Sequence, residues 1–253
     1  MSSEEGTPAQ SSHDNSRLAS DQSKADRLRN GRRVVGALLL FSSFQWFLVQ
    51  AAVAAGWRTH YSLTRNFISD LGALHCGRFP SDTGLYVCSP AHSAMNVSLI
   101  LWGAAWAVGA LLIAEHSHRT GYMLLALGGI GTILVGVRPE DTVFAVHALG
   151  ALLQTIVGGA GMAVIGVRLL RRGHRIVGVL SVLVFIAAVV GIIATGLATD
   201  SRAFLSVGLG VWERIGIWPQ CAWLTAAGIG IAWDAATRPS RTEPGLTRNT
   251  ACR

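Results

Sequence analysis

The chain has 253 residues, of which 51% are hydrophobic and only 14% are charged. Because about 25% of the residues of a soluble globular domain carry charge, this composition excludes an ordinary water-soluble domain and indicates a membrane protein. The formal net charge of +7 does not indicate a nucleic-acid partner, because the basic residues lie between long apolar runs instead of forming one stripe.

The first 30 residues form a polar segment that is nearly devoid of large apolar side chains. Such a segment cannot offset its ordering entropy, so we predict a disordered cytoplasmic tail over residues 1–30. Apolar runs near the ~20 residues that span a bilayer then recur; they lie at residues 33–56, 94–115, 121–137, 143–169, 176–198 and 212–234. The sequence therefore predicts an all-α, polytopic membrane protein. It comprises a six-transmembrane-helix bundle over residues 31–236 and a second disordered cytoplasmic tail over residues 237–253.

The basic residues are distributed unevenly between the two faces of this bundle. If the N-terminus lies inside, 15 of the 21 Lys and Arg residues fall on the cytoplasmic side. Cytoplasmic loops carry an excess of Lys and Arg, so we predict a multi-pass protein of the cell membrane with both termini in the cytoplasm. We expect membrane lipids as partners, because anionic headgroups attract a basic rim.

Glycine and tryptophan recur within the predicted spans. Runs such as Gly128-Gly129-Ile130-Gly131 let helix backbones approach closely in lipid, and we interpret them as packing surfaces. The eight Trp residues mostly lie near predicted helix ends or faces, where we interpret them as anchors at the membrane interface.

Polar residues follow the first span over residues 61–72. If this segment is helical, Arg65 lies four positions before Ser69, and Asn66 lies four positions before Asp70, so each pair shares one face. An apolar stripe on the same helix would rest on the bilayer or plug the bundle. The spacing therefore predicts a re-entrant or interfacial segment on the outer face.

More ionisable residues lie where later spans reach the same face. Glu140 and His147 are seven residues apart, so they share a helix face if the fourth span begins at Pro139. Two further charged residues open the sixth span. The predicted outer polar cluster consists of Arg65, Asn66, Ser69, Asp70, Arg138, Glu140, Asp141, His147, Glu213 and Arg214.

Three interpretations of this outer polar cluster remain open. An ionisable group in the apolar zone costs about 2.5–3.5 kcal/mol, so it requires a partner or a function. The charges either clamp the outer loops as an ion-pair network, or bind a lipid headgroup, ion or small molecule, or catalyse a reaction. No H-E-x-x-H, G-x-S-x-G or P-loop motif supports catalysis. The spacing of the acids and His147 is not typical of any metal site, and we expect no metal and no other cofactor.

The four cysteines are too few for a disulfide scaffold and include no C-x-x-C pair. Cys76 and Cys88 lie in the first outer loop, among turn-forming Gly and Pro residues. An oxidising exterior favours a disulfide between them. Cys221 is a competing partner, whereas Cys252 lies in the cytoplasmic tail and is expected to be reduced.

The order of these pieces resembles a known family. The pieces are Asn66-Phe67-Ile68-Ser69-Asp70-Leu71-Gly72 after the first helix, a Pro139-Glu140-Asp141 hairpin followed by His147, and a late Gly210-Val211-Trp212-Glu213-Arg214. Together they are similar to the domain of unknown function 998 family of bacterial and archaeal integral membrane proteins. The resemblance covers about residues 33–236. It implies six or so spanning helices and an uncharacterised function.

The main functional hypothesis is therefore an uncharacterised integral membrane protein that binds or senses a lipid or amphiphile through the outer polar cluster. One alternative is an intramembrane enzyme acting on a lipid headgroup, with His147 or a carboxylate as acid or base and the arginines holding phosphate. Another alternative is a small transporter, which the small number of charges within the spans makes weaker.

Overall fold

The computed structural model describes residues 8–57, 60–79, 84–114, 119–198 and 207–237. Its helices, numbered in chain order, are α1 (Pro8–Phe41), α2 (Phe44–Ala55), α3 (His92–Ile113), α4 (Arg119–Val137), α5 (Phe144–Leu152), α6 (Gly159–Arg171), α7 (Arg175–Ala198) and α8 (Leu209–Thr237). A π-helical segment, Leu153–Gly158, joins α5 to α6. A short 3-10 turn, Ser69–Gly72, and an antiparallel hairpin of β1 (Gly77–Phe79) and β2 (Leu85–Val87) precede α3.

Six stretches of the described chain are long and apolar enough to cross a membrane. They are α1 from Ser20 onward with α2, then α3, α4, α5 to α6, α7 and α8. Large apolar side chains such as Leu101, Leu183 and Ile193 are more than half exposed on these helices. Such a surface is unfavourable in water and favourable in lipid. The predicted all-α, six-helix membrane bundle is therefore confirmed.

The six spans form a closed ring in chain order. Each span packs against the next, and α8 packs back against α1. Glycines permit the closest approaches between neighbours: a Cβ atom added to Gly103 on α3 would lie 2.5 Å from the carbonyl oxygen of Gly129 on α4. At the ring closure, a Cβ atom on Gly228 would lie 2.5 Å from the carbonyl oxygen of Ala37. Close backbone packing of this kind holds helices together in lipid.

Three tryptophans fill the middle of the ring. Trp46, Trp102 and Trp106 are at most 1% exposed. The ring centroids of Trp46 and Trp102 are 4.7 Å apart, and those of Trp102 and Trp106 are 5.8 Å apart. The interpretation of the tryptophans as interfacial anchors is wrong for these three, because the space at the centre of six helices is filled by the largest aromatic side chains.

A disulfide joins Cys76 to Cys88 across the β1–β2 hairpin. Cys221 is instead a buried free thiol, and its Sγ donates to the carbonyl oxygen of Ser43 at 3.2 Å. This carbonyl lies at the break between α1 and α2, where helix ends leave backbone groups without partners in the helix. Cys252 lies outside the described residues.

The structure differs from the sequence expectation for the N-terminal tail. From Pro8 onward the polar segment continues α1, although we predicted disorder over residues 1–30. The side chains of residues 20–32 are exposed, so they form no part of the core. Residues 9–30 contain neither Gly nor Pro, which permits a helix even where no apolar face exists. Residues 1–7 and the predicted C-terminal tail from 238 onward lie outside the described residues.

Candidate functional site

The chain between α2 and α3 folds over one end of the ring. We call residues 61–72 the plug segment, and we call the end that it covers the acid end. The plug segment is a series of turns instead of a continuous helix, because the backbone N–H of Ser62 donates to Oδ1 of Asn66 at 3.0 Å and helical geometry is confined to the last four residues. Nδ2 of Asn96 on α3 donates to the carbonyl oxygen of Gly72 at 2.9 Å. The plug segment is therefore fixed to the second span.

Asp70 and Glu140 form a buried acid pair at the acid end. They are 2% and 4% exposed, and their carboxyl groups are hydrogen-bonded to each other. Such a bond requires a proton on one carboxyl group. Burial raises the pKa of Glu140 well above its usual range, the charge of Asp70 raises it further, and burial also raises the pKa of Asp70. Nδ2 of Asn66 and the backbone N–H of Phe67 donate to Asp70 at 3.0 Å, and Oγ of Ser69 donates to Glu140 at 2.5 Å.

Glu213 at the start of α8 holds the plug segment from the side. Its carboxylate accepts hydrogen bonds from the backbone N–H groups of Ile68 and Ser69, the latter at 3.3 Å. The backbone N–H of Gly210 donates to the carbonyl oxygen of Thr64 at 3.0 Å. The first turn of the last span is therefore joined to the plug segment by both backbone and side-chain contacts.

Arg214 is the buried cation of the acid end. Its guanidinium donates to the carbonyl oxygens of Asn66 at 2.9 Å and Gly210 at 2.8 Å, and to the hydroxyl of Tyr61 at 2.5 Å. Burial raises the pKa of Tyr61, so its hydroxyl stays protonated and donates to the carbonyl oxygen of Phe67 at 2.7 Å. One arginine therefore holds three separate points of the chain together.

Four residues of the predicted cluster lie apart from these contacts. Arg65 and Arg138 are exposed. Asp141 accepts a hydrogen bond from the backbone N–H of His75 at 2.7 Å and lies 2.9 Å from its ring Nδ1. His147 is buried, and its Nδ1 donates to the carbonyl oxygen of Arg138 at 3.0 Å. The structure brings together Asn66, Ser69, Asp70, Glu140, Glu213 and Arg214.

The predicted helical pairing of Glu140 with His147 is wrong. The backbone N–H and the hydroxyl of Thr142 both bond to the carbonyl oxygen of Pro139, at 3.0 and 2.7 Å, and this closes a turn. The fourth span therefore begins at Phe144 and not at Pro139. As a result, Glu140 lies in a turn before the helix, and its carboxyl group contacts Ser69 of the plug segment.

A cavity of about 690 Å³ lies at the opposite end of the ring, which we call the basic end. This volume falls within the ~300–1,000 Å³ that is typical of small-molecule pockets. Each of the six spans contributes to the wall, through Arg33, Ile113, Tyr122, Arg168, Leu180 and Trp223. The remaining wall residues are mostly aliphatic, so the cavity is an apolar chamber within the bundle.

Three arginines, Arg33, Arg168 and Arg172, line this cavity. No Asp or Glu is found among the described residues of the cavity wall. Arg33 forms an ion pair with Asp234, with 3.4 Å between Nη2 and the carboxylate. Arg172, just beyond the end of α6, is exposed and marks the opening. The apolar chamber therefore has a cationic rim.

A family model described as "Protein of unknown function (DUF998)" matches residues 34–230. The chain belongs to the DUF998 family. The resemblance carried by the plug segment, the α4–α5 turn and the start of α8 is therefore confirmed. The DUF998 match spans the whole acid end and most of the cavity wall, while Arg33 lies directly before it. No match to this chain was found among curated proteins or solved structures.

Sequence reasoning missed two features of this DUF998 chain, which are the contact of Tyr61 with Arg214 and the cavity at the basic end. Tyr61 carries no pattern that indicates a contact with Arg214, because 153 positions separate the two residues. The cavity leaves one sequence signal, which is that Arg168 falls inside an otherwise apolar run, where a charge indicates a partner or a function.

In the described part of the chain, no group of three His, Cys, Asp or Glu side chains is placed to hold a metal ion.

Proposed function

We propose that this protein binds an amphiphile inside its helix ring, with the basic-end cavity as the binding site. The observation that carries the proposal is a cavity of about 690 Å³ to which all six spans contribute. Its apolar wall suits an alkyl chain, and its arginine rim suits a polar headgroup. The position of the cavity along the membrane normal also suits an amphiphile. Trp223 and Leu180 lie within spans, whereas Arg172 lies at the end of one.

We also propose that the outer polar cluster closes the acid end and does not hold the ligand. Glu213 and Arg214 direct their hydrogen bonds to the plug segment, and Asp70 and Glu140 bond to each other. These contacts occupy the groups that a headgroup would need. The proposal thus retains amphiphile binding as the function and moves the binding site to the other end of the bundle.

Our orientation proposal places the basic end at the cytoplasmic face of the cell membrane, since membrane proteins carry an excess of Lys and Arg on that side. Single cysteines introduced by Arg65→Cys and His174→Cys lie at exposed positions of opposite ends. In a Cys252→Ser background, an impermeant maleimide added to intact cells is expected to label the first and not the second. Labelling of His174→Cys alone would reverse the orientation.

Filling the cavity is expected to reduce lipid retention strongly. Gly230 lines the cavity, and a Cβ atom added there meets no other atom within 4 Å. In Gly230→Leu the new side chain therefore occupies ligand space while the helix gains about 0.8–1 kcal/mol of propensity over glycine. Native mass spectrometry of detergent-purified protein exposed to phosphatidylglycerol is expected to show at least about tenfold less retained lipid than the wild type.

The matched control is Gly196→Leu on α7. Gly196 is also exposed and helical, and an added Cβ atom there also meets nothing within 4 Å, but the residue does not line the cavity. This variant is expected to retain lipid like the wild type. Equal lipid retention by both variants and the wild type would contradict the proposed function.

A further inference from the structure

The arginines at the rim of the cavity lie on two spans that are not neighbours in the ring. Arg33 belongs to α1, whereas Arg168 lies in the last turn of α6 and Arg172 follows that helix directly. All three line the same cavity. The positive charge at the rim therefore comes from both the first and the fourth span and faces a shared space.

Two of these arginines lie close together along the chain and line the same cavity. Arg168 and Arg172 lie four positions apart at the end of one helix, and both line the cavity. Like charges at this spacing repel each other. Arg171 and Arg175 are also exposed at the basic end, but neither lines the cavity. All four arginines carry the same charge, but only Arg168 and Arg172 line the cavity.

Guanidinium groups suit phosphate better than they suit other headgroup chemistry. Their planar donors match two oxygens of a phosphate at once, and they stay charged at any physiological pH. The wall beyond the rim is formed by residues such as Leu125, Ile165 and Trp223, which offer an alkyl chain an apolar surface. A ligand that uses both regions carries a negative head and a long apolar tail.

We propose that the basic-end cavity selects an amphiphile with a phosphate-bearing headgroup of net negative charge, held by Arg168 and Arg172 with Arg33 on the facing side. The proposal rests on the proposed function and names its ligand class. A zwitterionic headgroup brings its own cation to a rim where Arg168 and Arg172 lie together with the ion-paired Arg33. Free phosphate lacks the tail that the apolar wall accommodates.

The test compares three probes with purified full-length protein in detergent. The probes are phosphatidylglycerol, phosphatidylcholine and inorganic phosphate. We expect phosphatidylglycerol to bind at least about tenfold more tightly than phosphatidylcholine in native mass spectrometry. Inorganic phosphate at millimolar concentration is expected to give no rise in melting temperature. A rise with phosphate equal to that with phosphatidylglycerol would overturn a lipid ligand in favour of a soluble anion.

Two double variants separate the cavity from the general charge of the surface. Arg168→Gln with Arg172→Gln is expected to lose the preference for phosphatidylglycerol while still binding phosphatidylcholine. Arg171→Gln with Arg175→Gln removes the same charge outside the cavity and is expected to keep the wild-type preference. An equal loss in both double variants would show nonspecific attraction to the basic rim and would overturn the proposal.

The failure of this proposal is distinguishable from failure of the proposed function. If Gly230→Leu loses both lipids while the lining double variant keeps the wild-type preference, the cavity binds an amphiphile without selecting its charge. If Gly230→Leu retains both lipids, the cavity is not the binding site and both proposals fail. The melting temperature without lipid, measured for each variant, identifies any variant that does not fold.

Discussion

Replacement of Arg214 by Gln is expected to lower the free energy of unfolding by about 3–5 kcal/mol, the range found when one partner of a buried ionic contact is removed. The guanidinium is buried, donates three hydrogen bonds and lies over the rings of Tyr61 and Trp218, with its carbon 5.6 and 5.7 Å from their centroids. The substitution also leaves the nearby carboxyl group of Asp70 without the attraction of this cation.

Chemical denaturation in detergent measures this loss, and Arg65→Gln is its matched control. Arg65 is exposed, so its substitution is expected to change stability by less than about 0.5 kcal/mol. Arg214→Lys keeps the charge but not the planar donors, and an intermediate loss is expected. Similar losses in Arg65→Gln and Arg214→Gln would show that the buried contacts do not stabilise the acid end.

The melting temperature of the wild-type protein is expected to fall with rising pH because of the buried acid pair. Burial raises the pKa of Glu140 well above 4.5, its ordinary value. A carboxyl group whose pKa is raised on folding stabilises the fold fully below the unfolded pKa, and that stability is lost as pH rises through the folded pKa. The loss reaches at most about 1.4 kcal/mol per pH unit for one such group.

Glu140→Gln is expected to reduce this alkaline loss, while the raised pKa of Asp70 leaves part of it. The amide does not titrate, and it can donate to Asp70 as the protonated carboxyl group does. Thermal unfolding measured from about pH 5 to about pH 9 is therefore expected to show a flatter profile in the variant than in the wild type. An unchanged alkaline slope in Glu140→Gln would contradict proton sharing between the two carboxyl groups.

Asp141 lies in the same turn as Glu140 and serves as a control, because its pKa is shifted in the opposite direction. Partial burial raises its pKa, but hydrogen bonds from the backbone N–H groups of His75 and Leu74 and from the His75 ring outweigh burial and lower the pKa below 3.8. Its contribution to stability is therefore present above the ordinary pKa and lost as pH falls through the folded value. Asp141→Asn is expected to leave the alkaline slope of the wild type intact.

The helix bundle was predictable because the physical cause of a span is local. About 20 consecutive apolar residues are costly in water and long enough for a bilayer, whatever their partners are. The position of Trp102 and Trp106 inside the ring was not predictable, because hydropathy and helix position describe an interfacial and a central Trp in the same way. Only the ring arrangement decides which face of α3 points inward.

The convergence at the acid end was partly predictable, since charged residues at one membrane depth need partners. Asp70 and Glu140 meet as that cost predicts, whereas Arg65 and Arg138 reach water on their long side chains and need no partner. The cavity was not predictable in the same way. Its wall consists of residues from six spans, and their neighbours in space follow from tertiary packing alone.

The order of spans around the ring has a consequence for biogenesis. While the chain is being translated, each new span meets a surface that the preceding span already presents, so assembly proceeds in step with insertion. The face of α1 around Ala37 and Phe41, which Gly228 covers, has to wait for the last span. A nascent chain stalled before α8 also lacks Arg214 and Glu213. In such a chain the contact between α1 and α8 is missing, and the plug segment lacks its hydrogen bonds to α8. Insertion of the final helix supplies both sets of contacts in one step.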